Sequence, residues 1–408
     1  MSNNPDEQPF AGIPLFGDLA KAMAGQGPLQ WDVARQVAIS TATNGTNTEA
    51  NVDPSSRVSL EQLAPIADMH VRNYTGLTTG TNRDTGTALP NIVVTNHSTW
   101  VHHTLESYKP LFTQLATALS NPNVETSLPG TELDTELNIE ADQMATMMSS
   151  LNKMMAPAMM GMSIGSMIGQ LSLRAFGQYD LPIPREPKNQ MLLVASNVEQ
   201  FANDWSIAVN DMRMWVLIHE LTSHAVLSVD HVRDSINQQI SKYIAGFRPN
   251  PNALMERLTT MDLGTTDPMA MMQKFLTDPT IILGAVRSPE QERQAPVLDA
   301  MIASIIGYID HSVDAISALV LGGGEQIAEA VRRRRVESAP HDSFVEQLLG
   351  LRLTRQQVER GHAFAAGVTE RAGHDGLSQM FNKAGNLPTP NELDAPGLWL
   401  ARIELQDK

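Results

Sequence analysis

Hydrophobic residues recur with helical spacing along most of the chain, beginning at LQWDVARQVAIS near Trp31. Later segments with the same period include VSLEQLAPIADMHVRNYTGL, STWVHHTLESYKPLFTQLATAL, MRMWVLIHELTSHAVL and APVLDAMIASIIGYIDHSVDAISALVL. NQMLLVASNVEQFANDW also reads as a helix, whereas NIVVTN at 91–96 is the best candidate for a strand. The breaks fall at proline-rich turns such as DLPIPREPKN, and no repeat or low-complexity linker divides the chain. The pattern predicts a mainly α-helical protein with few or no strands.

The start of this pattern suggests how the chain is organised. Residues 1–28 are rich in glycine and proline, so we predict a flexible N-terminal segment there. That segment lacks a basic stretch followed by a long apolar run, which argues against a secretion signal and predicts a cytoplasmic location. Residues 29–408 are then expected to form a single large helical domain.

The most hydrophobic segment, Met154 to Leu173, has nearly the length of a membrane span but is interrupted by Pro157, serines and Gln170. Three glycines recur at every fourth residue and share one stripe of this helix: Gly161, Gly165 and Gly169. Small residues on one stripe allow a second helix to approach closely. We therefore predict a buried helix packed at its glycines, with a methionine-lined binding groove as the alternative.

The composition excludes several classes of site and partner. The net charge of −16, from 29 Lys and Arg against 45 Asp and Glu, argues against nucleic acid or an anionic membrane as the main partner. The chain has no cysteine, which excludes disulfides, thiolate zinc sites and cysteine nucleophiles. Any metal would be held by His, Asp, Glu or water. A peptide or protein is the partner class left open, and the sequence makes no prediction of the oligomeric state.

One helical segment, WVLIHELTSHAV at 215–226, begins like the zinc-protease signature H-E-x-x-H. Histidines at i and i+4 lie about 40° apart around a helix and can bind one zinc, while the Glu polarises the bound water. Here the residue at i+4 from His219 is Ser223, whose hydroxyl is a poor zinc ligand. His224 comes one residue later and lies about 140° from His219 around a regular helix. Glu220 and His224 do share a face, where they could form an ion pair or supply two ligands to a metal.

With these residues in view, the chain resembles the zincin-like metallopeptidase type 2 family, some members of which carry an H-E-x-x-H-H helix. The likeness runs in order and at similar spacing through QWDVARQVA, GQLSL, DLPIP, HELTSHAVLSVDHVR, SPEQERQAPVLDAMIASIIGYIDHSVDA, AVRRRRVESAPHDSFVEQLLGLRL and NLPTPNELDAPGLWLARI. The resemblance implies a zincin-like helical fold and a zinc-dependent hydrolase.

Carried over residue by residue, the resemblance implies a degenerate metal site. His219 matches the first zinc histidine, and Glu220 matches the general base, which makes it the candidate catalytic residue. Ser223 stands where the second zinc histidine belongs, and His224 matches an additional histidine that follows it. Ile306, in SIIGYIDHS, stands where the family often has a glutamate. Since His219 and His224 are the metal-binding candidates left, the resemblance implies weak zinc binding and weak or no peptidase activity.

Two alternatives to this interpretation stay open. Asp310 and His311 could replace the missing ligands if their helix packs against the helix of Glu220. The second alternative is a non-catalytic binding or scaffold protein that uses the zincin-like fold.

Other charged positions have structural interpretations. We expect the three histidines of HSTWVHHT, at 97, 102 and 103, to be surface or partly buried side chains. The run Arg332 to Arg335 spreads round a helix, which favours salt bridges and helix-end contacts over nucleic-acid binding.

Overall fold

The computed structural model describes residues 27–46, 48–80, 89–120, 156–186, 190–247, 288–336, 349–351 and 354–406. Two sequence-based predictions fall elsewhere. Residues 1–26 of the predicted flexible N-terminus lie outside the described residues, and so do Met154 and Met155 at the start of the predicted hydrophobic helix. The division of the chain at residue 28 therefore stays a prediction.

The described residues form a mainly helical domain with one small sheet, as the hydrophobic pattern predicts. The helices are α1 (Trp31–Ala42), α2 (Pro54–Thr75), α3 (His97–Ser120), α4 (156–172), α5 (Ala195–Asp204), α6 (Val209–Leu227), α7 (Asp230–Ala245), α8 (Pro289–Val320), α9 (Gly324–Val336), α10 (Arg355–Ser378), α11 (Pro390–Leu393) and α12 (Pro396–Gln406), with a short 3-10 helix at Gln379–Phe381. The strands are β1 (Asn91–Thr95) and β2 (Gln190–Val194). The strand predicted at 91–96 is confirmed.

The second strand corrects the sequence analysis, which assigned NQMLLVASNVEQFANDW to one helix. Residues Gln190–Val194 instead form β2, which pairs in parallel with β1, and α5 begins only at Ala195. Four of the five β2 residues are buried. A short apolar run of this kind suits a strand that is covered on both faces, and its periodicity cannot distinguish it from a buried helix.

The long helix α8 lies at the centre of the fold, in contact with α6, α7 and α10. Its start is fixed by a capping box between Ser288 and Gln291, with proline in the first turn. Within the described part of the chain, α8 is the one helix whose length and composition would allow it to cross a membrane. However, 72% of its most apolar window is buried inside the fold, as in the core helix of a globular domain.

The glycine stripe of α4 packs against α1, which confirms the prediction of a buried helix. A Cβ atom on Gly161 would lie 2.6 Å from the backbone oxygen of Gln30, and one on Gly169 would lie 2.7 Å from that of Ala38. On Gly165 it would lie even closer to a carbonyl oxygen of α1. The two helices therefore meet backbone to backbone, and the binding-groove alternative is not supported for this stripe.

Candidate functional site

Helix α6 carries the candidate residues, and its second half is buried on all sides. It packs against α2, α5 and α8, and every residue from Met214 to Leu227 is buried. The helix is a regular α-helix across this range. His219 and His224 therefore keep the separation of about 140° that a regular helix imposes, and the two rings cannot face one ion.

The carboxylate of Glu220 is bound to backbone and enclosed. Its Oε2 accepts a hydrogen bond from the backbone N–H of Tyr179 at 3.0 Å, and the side chain is 1% exposed. Its Oε1 lies 3.4 Å from Nδ1 of the neighbouring His219. Gly177 covers the carboxylate so closely that a Cβ atom on this residue would lie 2.7 Å from Glu220 Cγ. Glu220 therefore holds the backbone at residues 177–179, which passes directly over its carboxylate.

The segment that crosses Glu220, which we call the Gly177–Tyr179 segment, is positioned from several sides. Gly177 forms a β-bridge with Leu193 of β2. Its carbonyl oxygen accepts a hydrogen bond from the indole Nε1 of Trp100 in α3 at 2.8 Å. With the Tyr179 N–H held by Glu220, the segment is fixed between β2, α3 and α6.

His224 binds the same segment through its ring. Its Nδ1 shares a hydrogen bond of 2.8 Å with the hydroxyl of Tyr179, and the residue is 2% exposed. Burial lowers the pKa of His224 to about 4, against a smaller opposing effect of the Thr79 backbone. The imidazole is therefore neutral at pH 7. The ion pair that the sequence allowed between Glu220 and His224 does not form, and each side chain instead holds Tyr179.

His219 lies on the other side of α6 in a different environment. Its ring stacks on Trp215, with centroids 5.3 Å apart and planes 13° from parallel. It is 8% exposed, and its Nδ1 lies 3.4 Å from Oε1 of Glu220. Stacking and this neighbouring carboxylate together fix the orientation of the ring.

The positions of the expected second and third zinc ligands do not fit a zinc site. Ser223 is buried in α6 and Ile306 is buried in α8, and neither carries a good zinc donor. Among the residues that the structure describes, no group of three or more His, Cys, Asp or Glu could hold a metal ion. The described side chains at these positions therefore do not fit a zinc site.

The two proposed substitute ligands do not complete such a group. Their helix α8 does pack against α6, as the alternative required. Asp310 is buried, while His311 Nε2 lies 3.3 Å from the hydroxyl of Thr369 in α10. The pKa of His311 is lowered by burial and by the nearby His362 and His374. His311 therefore belongs to the contact between α8 and α10.

The remaining charged candidates have the structural roles that were expected. His97 is partly buried, with Nδ1 2.8 Å from Glu49 Oε1. Arg332 pairs with Asp314, and Arg333 pairs with Glu329 at 2.8 Å. The salt-bridge interpretation of the arginine run is confirmed for these two residues.

Sequence reasoning missed the Gly177–Tyr179 segment. The stretch FGQYDLPIP matches no metal-binding or catalytic motif, and it precedes Glu220 by about forty positions. One feature of the sequence could have indicated this segment. Gly177 and Tyr179 lie just before a proline-rich turn, and such a pattern is typical of an irregular segment with a defined backbone conformation. Nothing local indicates that this path crosses α6.

Comparisons with known proteins place this geometry in context. The sequence model of a family described as zincin-like metallopeptidase matches residues 29–400. The chain is also similar to a solved protein from Chloroflexus aurantiacus, described as a candidate hydrolase with a novel fold. The two share 19% identity with a TM-score of 0.55, over 92% of this chain and 99% of that one, a likeness that shows the fold alone. No curated protein matches the chain.

Proposed function

Since this chain belongs to the zincin-like metallopeptidase family, we propose that it is a degenerate member that binds zinc weakly and has weak or no peptidase activity. The observation that carries the proposal is the pair of buried residues at the expected ligand positions, Ser223 and Ile306. A zinc site with one histidine in place of three ligands loses most of its affinity, because each ligand contributes to holding the ion against water.

The surroundings of Glu220 support the same proposal. A general base must take a proton from a water molecule within hydrogen-bonding reach. Here one carboxylate oxygen already accepts the Tyr179 N–H, and Gly177 packs against the carboxylate. A Glu220 in this position stabilises the fold and has no free path to a substrate.

A non-catalytic binding or scaffold role is the second candidate, and a specific observation favours it. Both polar side chains on one face of α6, Glu220 and His224, hold the Gly177–Tyr179 segment. In this chain Glu220, the position that would act as the general base in an active relative, instead stabilises the fold together with His224. A peptide or protein is the partner class that we propose, and a cytoplasmic location stays our expectation.

The metal proposal is tested by zinc analysis and by repair. Protein purified without a chelator or a His-tag should retain no stoichiometric zinc after dialysis. The double variant Ser223→His with Ile306→Glu should bind zinc more tightly than the parent, whereas a matched Ser223→Ala with Ile306→Val variant should not. Stoichiometric zinc in the parent that His219→Ala removes would overturn the proposal, and a folded repair variant without improved affinity would show that the ligand positions are misassigned.

The activity proposal is tested by a peptide-library assay of the parent and of Glu220→Gln at equal concentration, with and without added zinc. We expect no cleavage by either protein and a changed melting temperature for the variant. Zinc-dependent cleavage by the parent that disappears in Glu220→Gln would contradict the proposal, because it would restore the catalytic role of the carboxylate.

A further inference from the structure

Arg185 is a buried cation without a carboxylate partner among the described residues. It follows the proline-rich turn DLPIP and is 8% exposed. Its NH2 donates a hydrogen bond to the hydroxyl of Thr104 at 3.1 Å, and its Nε has no acceptor within the described part of the chain. Buried arginines are almost always paired with an anion, because an isolated charge is costly to remove from water.

Arg185 differs from other arginines of this protein, which have a carboxylate nearby. Three of them also leave Nε without a hydrogen-bond acceptor among the described residues, yet each has a carboxylate within 4.0 Å: Arg72 with Asp68, Arg174 with Asp180, and Arg213 with Glu199. Each of the three is also more exposed than Arg185. Arg185 is thus the most buried of these cations and the one whose hydrogen-bond partner among the described residues is a neutral hydroxyl.

The ring of Tyr108, whose hydroxyl is also an unsatisfied donor among the described residues, lies against this guanidinium. The central carbon of the Arg185 guanidinium is 4.9 Å from the ring centroid of Tyr108. The hydroxyl of Tyr108 is buried and has no hydrogen-bond partner in the described residues. A buried hydroxyl usually finds an acceptor, since a buried donor without one loses the hydrogen bonds that it makes with water in the unfolded chain.

The side chains that frame these two donors come from one face of α3. Trp100, Thr104 and Tyr108 are spaced four residues apart and are all buried. Trp100 also lies beside the guanidinium, with its ring centroid 5.9 Å away. The aromatic rings pack against the guanidinium but offer no negative charge.

We propose that Arg185 and Tyr108 form a binding site for a carboxylate group. The planar guanidinium recognises a carboxylate geometrically, and the phenol adds a second donor. A single buried cation is balanced by a single negative charge, so a carboxylate fits better than a doubly charged phosphate. The group can come from a small carboxylic acid or from the C-terminus of a peptide.

The proposed site adjoins Tyr179 but contains neither His219 nor Glu220. Burial raises the pKa of Tyr179, and smaller electrostatic effects on it come from Arg185, Glu220 and Tyr108. Trp100, whose ring lies beside the Arg185 guanidinium, also donates a hydrogen bond to the Gly177 carbonyl oxygen, so the carboxylate site lies next to the Gly177–Tyr179 segment. It is independent of zinc binding and of peptidase activity, so its test can fail without affecting the proposed function.

Acetate is the first probe, titrated into the full chain at constant ionic strength with chloride as the reference anion. We expect saturable binding by calorimetry and a rise in melting temperature that chloride does not produce. Arg185→Met and Tyr108→Phe should each weaken acetate binding about tenfold or more. Arg213→Met, which removes an arginine already paired with Glu199, should leave the acetate affinity unchanged.

The stability of the variants without acetate separates binding from a structural role. Because its hydroxyl has no partner in the described part of the chain, Tyr108→Phe should be at least as stable as the parent when no carboxylate is present. This variant keeps the test decisive even if Arg185→Met does not fold. A short peptide with a free C-terminus, compared with its amidated form, distinguishes a peptide ligand from a small acid. The absence of any saturable carboxylate binding, binding of phosphate alone, or equal binding by parent and Tyr108→Phe would overturn the proposal.

Discussion

Two close backbone contacts, one between α1 and α4 and one between α6 and the Gly177–Tyr179 segment, use glycine in different ways. In the first, Gly161 and Gly169 face carbonyl oxygens of a regular helix, and shape alone decides how closely the helices approach. In the second, Gly177 faces the carboxylate of Glu220, an ionisable group that also accepts the N–H of Tyr179.

The difference shows how a catalytic motif can serve as structure. A helix–helix contact of small residues needs no polar partner, so its loss is felt only as steric overlap. The contact at α6 depends on the hydrogen bonds that Glu220 and His224 make with Tyr179. Protonating one of these side chains, or removing one of the bonded atoms, should therefore weaken the contact. Glu220 and His224 both form a hydrogen bond with Tyr179, so the residues of the candidate site contribute to the stability of the fold.

The largest expected effect is at the shape-determined contact. Gly165→Leu should lower the free energy of unfolding by about 3 kcal/mol or more, because even the first carbon of the new side chain would overlap a carbonyl oxygen of α1. Chemical denaturation of the variant measures this change. Gly397→Leu is the matched control, since Gly397 is exposed and a Cβ atom there meets nothing within 4 Å. Similar stabilities of the two variants would contradict the close contact.

The second prediction applies the same kind of change to the polar contact. Gly177→Ala should lower the free energy of unfolding by about 2 kcal/mol, because the new methyl group would displace a carboxylate that is held by Tyr179. Glu220→Ala should remove the obstacle, so the double variant should be more stable than the sum of the single changes predicts. Strict additivity of the two changes would show that Gly177 and Glu220 do not interact.

The two contacts also differ in what the sequence could predict. The spacing of Gly161, Gly165 and Gly169 is a local pattern with a helical period, and it correctly predicted a close helix contact. The strand β2 was missed because its buried apolar run has no diagnostic period. The separation of His219 and His224 followed from helix geometry, but the role of Tyr179 did not, because it depends on two chain segments distant in sequence.

The third prediction uses protonation to test the polar contact. The folded-state pKa of His224, about 4, lies below the usual value of 6.5, so the unfolded chain binds the proton more readily. Stability should therefore fall as the pH drops from about 6.5 to 4. Between pH 7 and pH 5 this histidine should account for a loss of about 2 kcal/mol in the free energy of unfolding.

Other groups must be separated from His224 in this measurement. His311 and His374 also have pKa values lowered by burial, and Glu220 and Tyr179 lie beside the site. Denaturation of His224→Gln at the same two pH values isolates the contribution, because the other groups are unchanged. The variant should lose less stability than the parent between pH 7 and pH 5. Identical losses would mean that His224 is not buried in a neutral form.

The smallest expected effect separates the two hydrogen bonds that hold Tyr179. Tyr179→Phe removes the hydroxyl bonded to His224 and retains the backbone N–H bonded to Glu220, so it should lower the free energy of unfolding by about 1 kcal/mol. Tyr108→Phe is the matched control, since it removes a hydroxyl that has no partner in the described residues and should cause no loss. Equal destabilisation by both changes would assign the effect to the loss of any buried hydroxyl. A loss confined to Tyr179→Phe would show that the ring of His224 holds the segment in place.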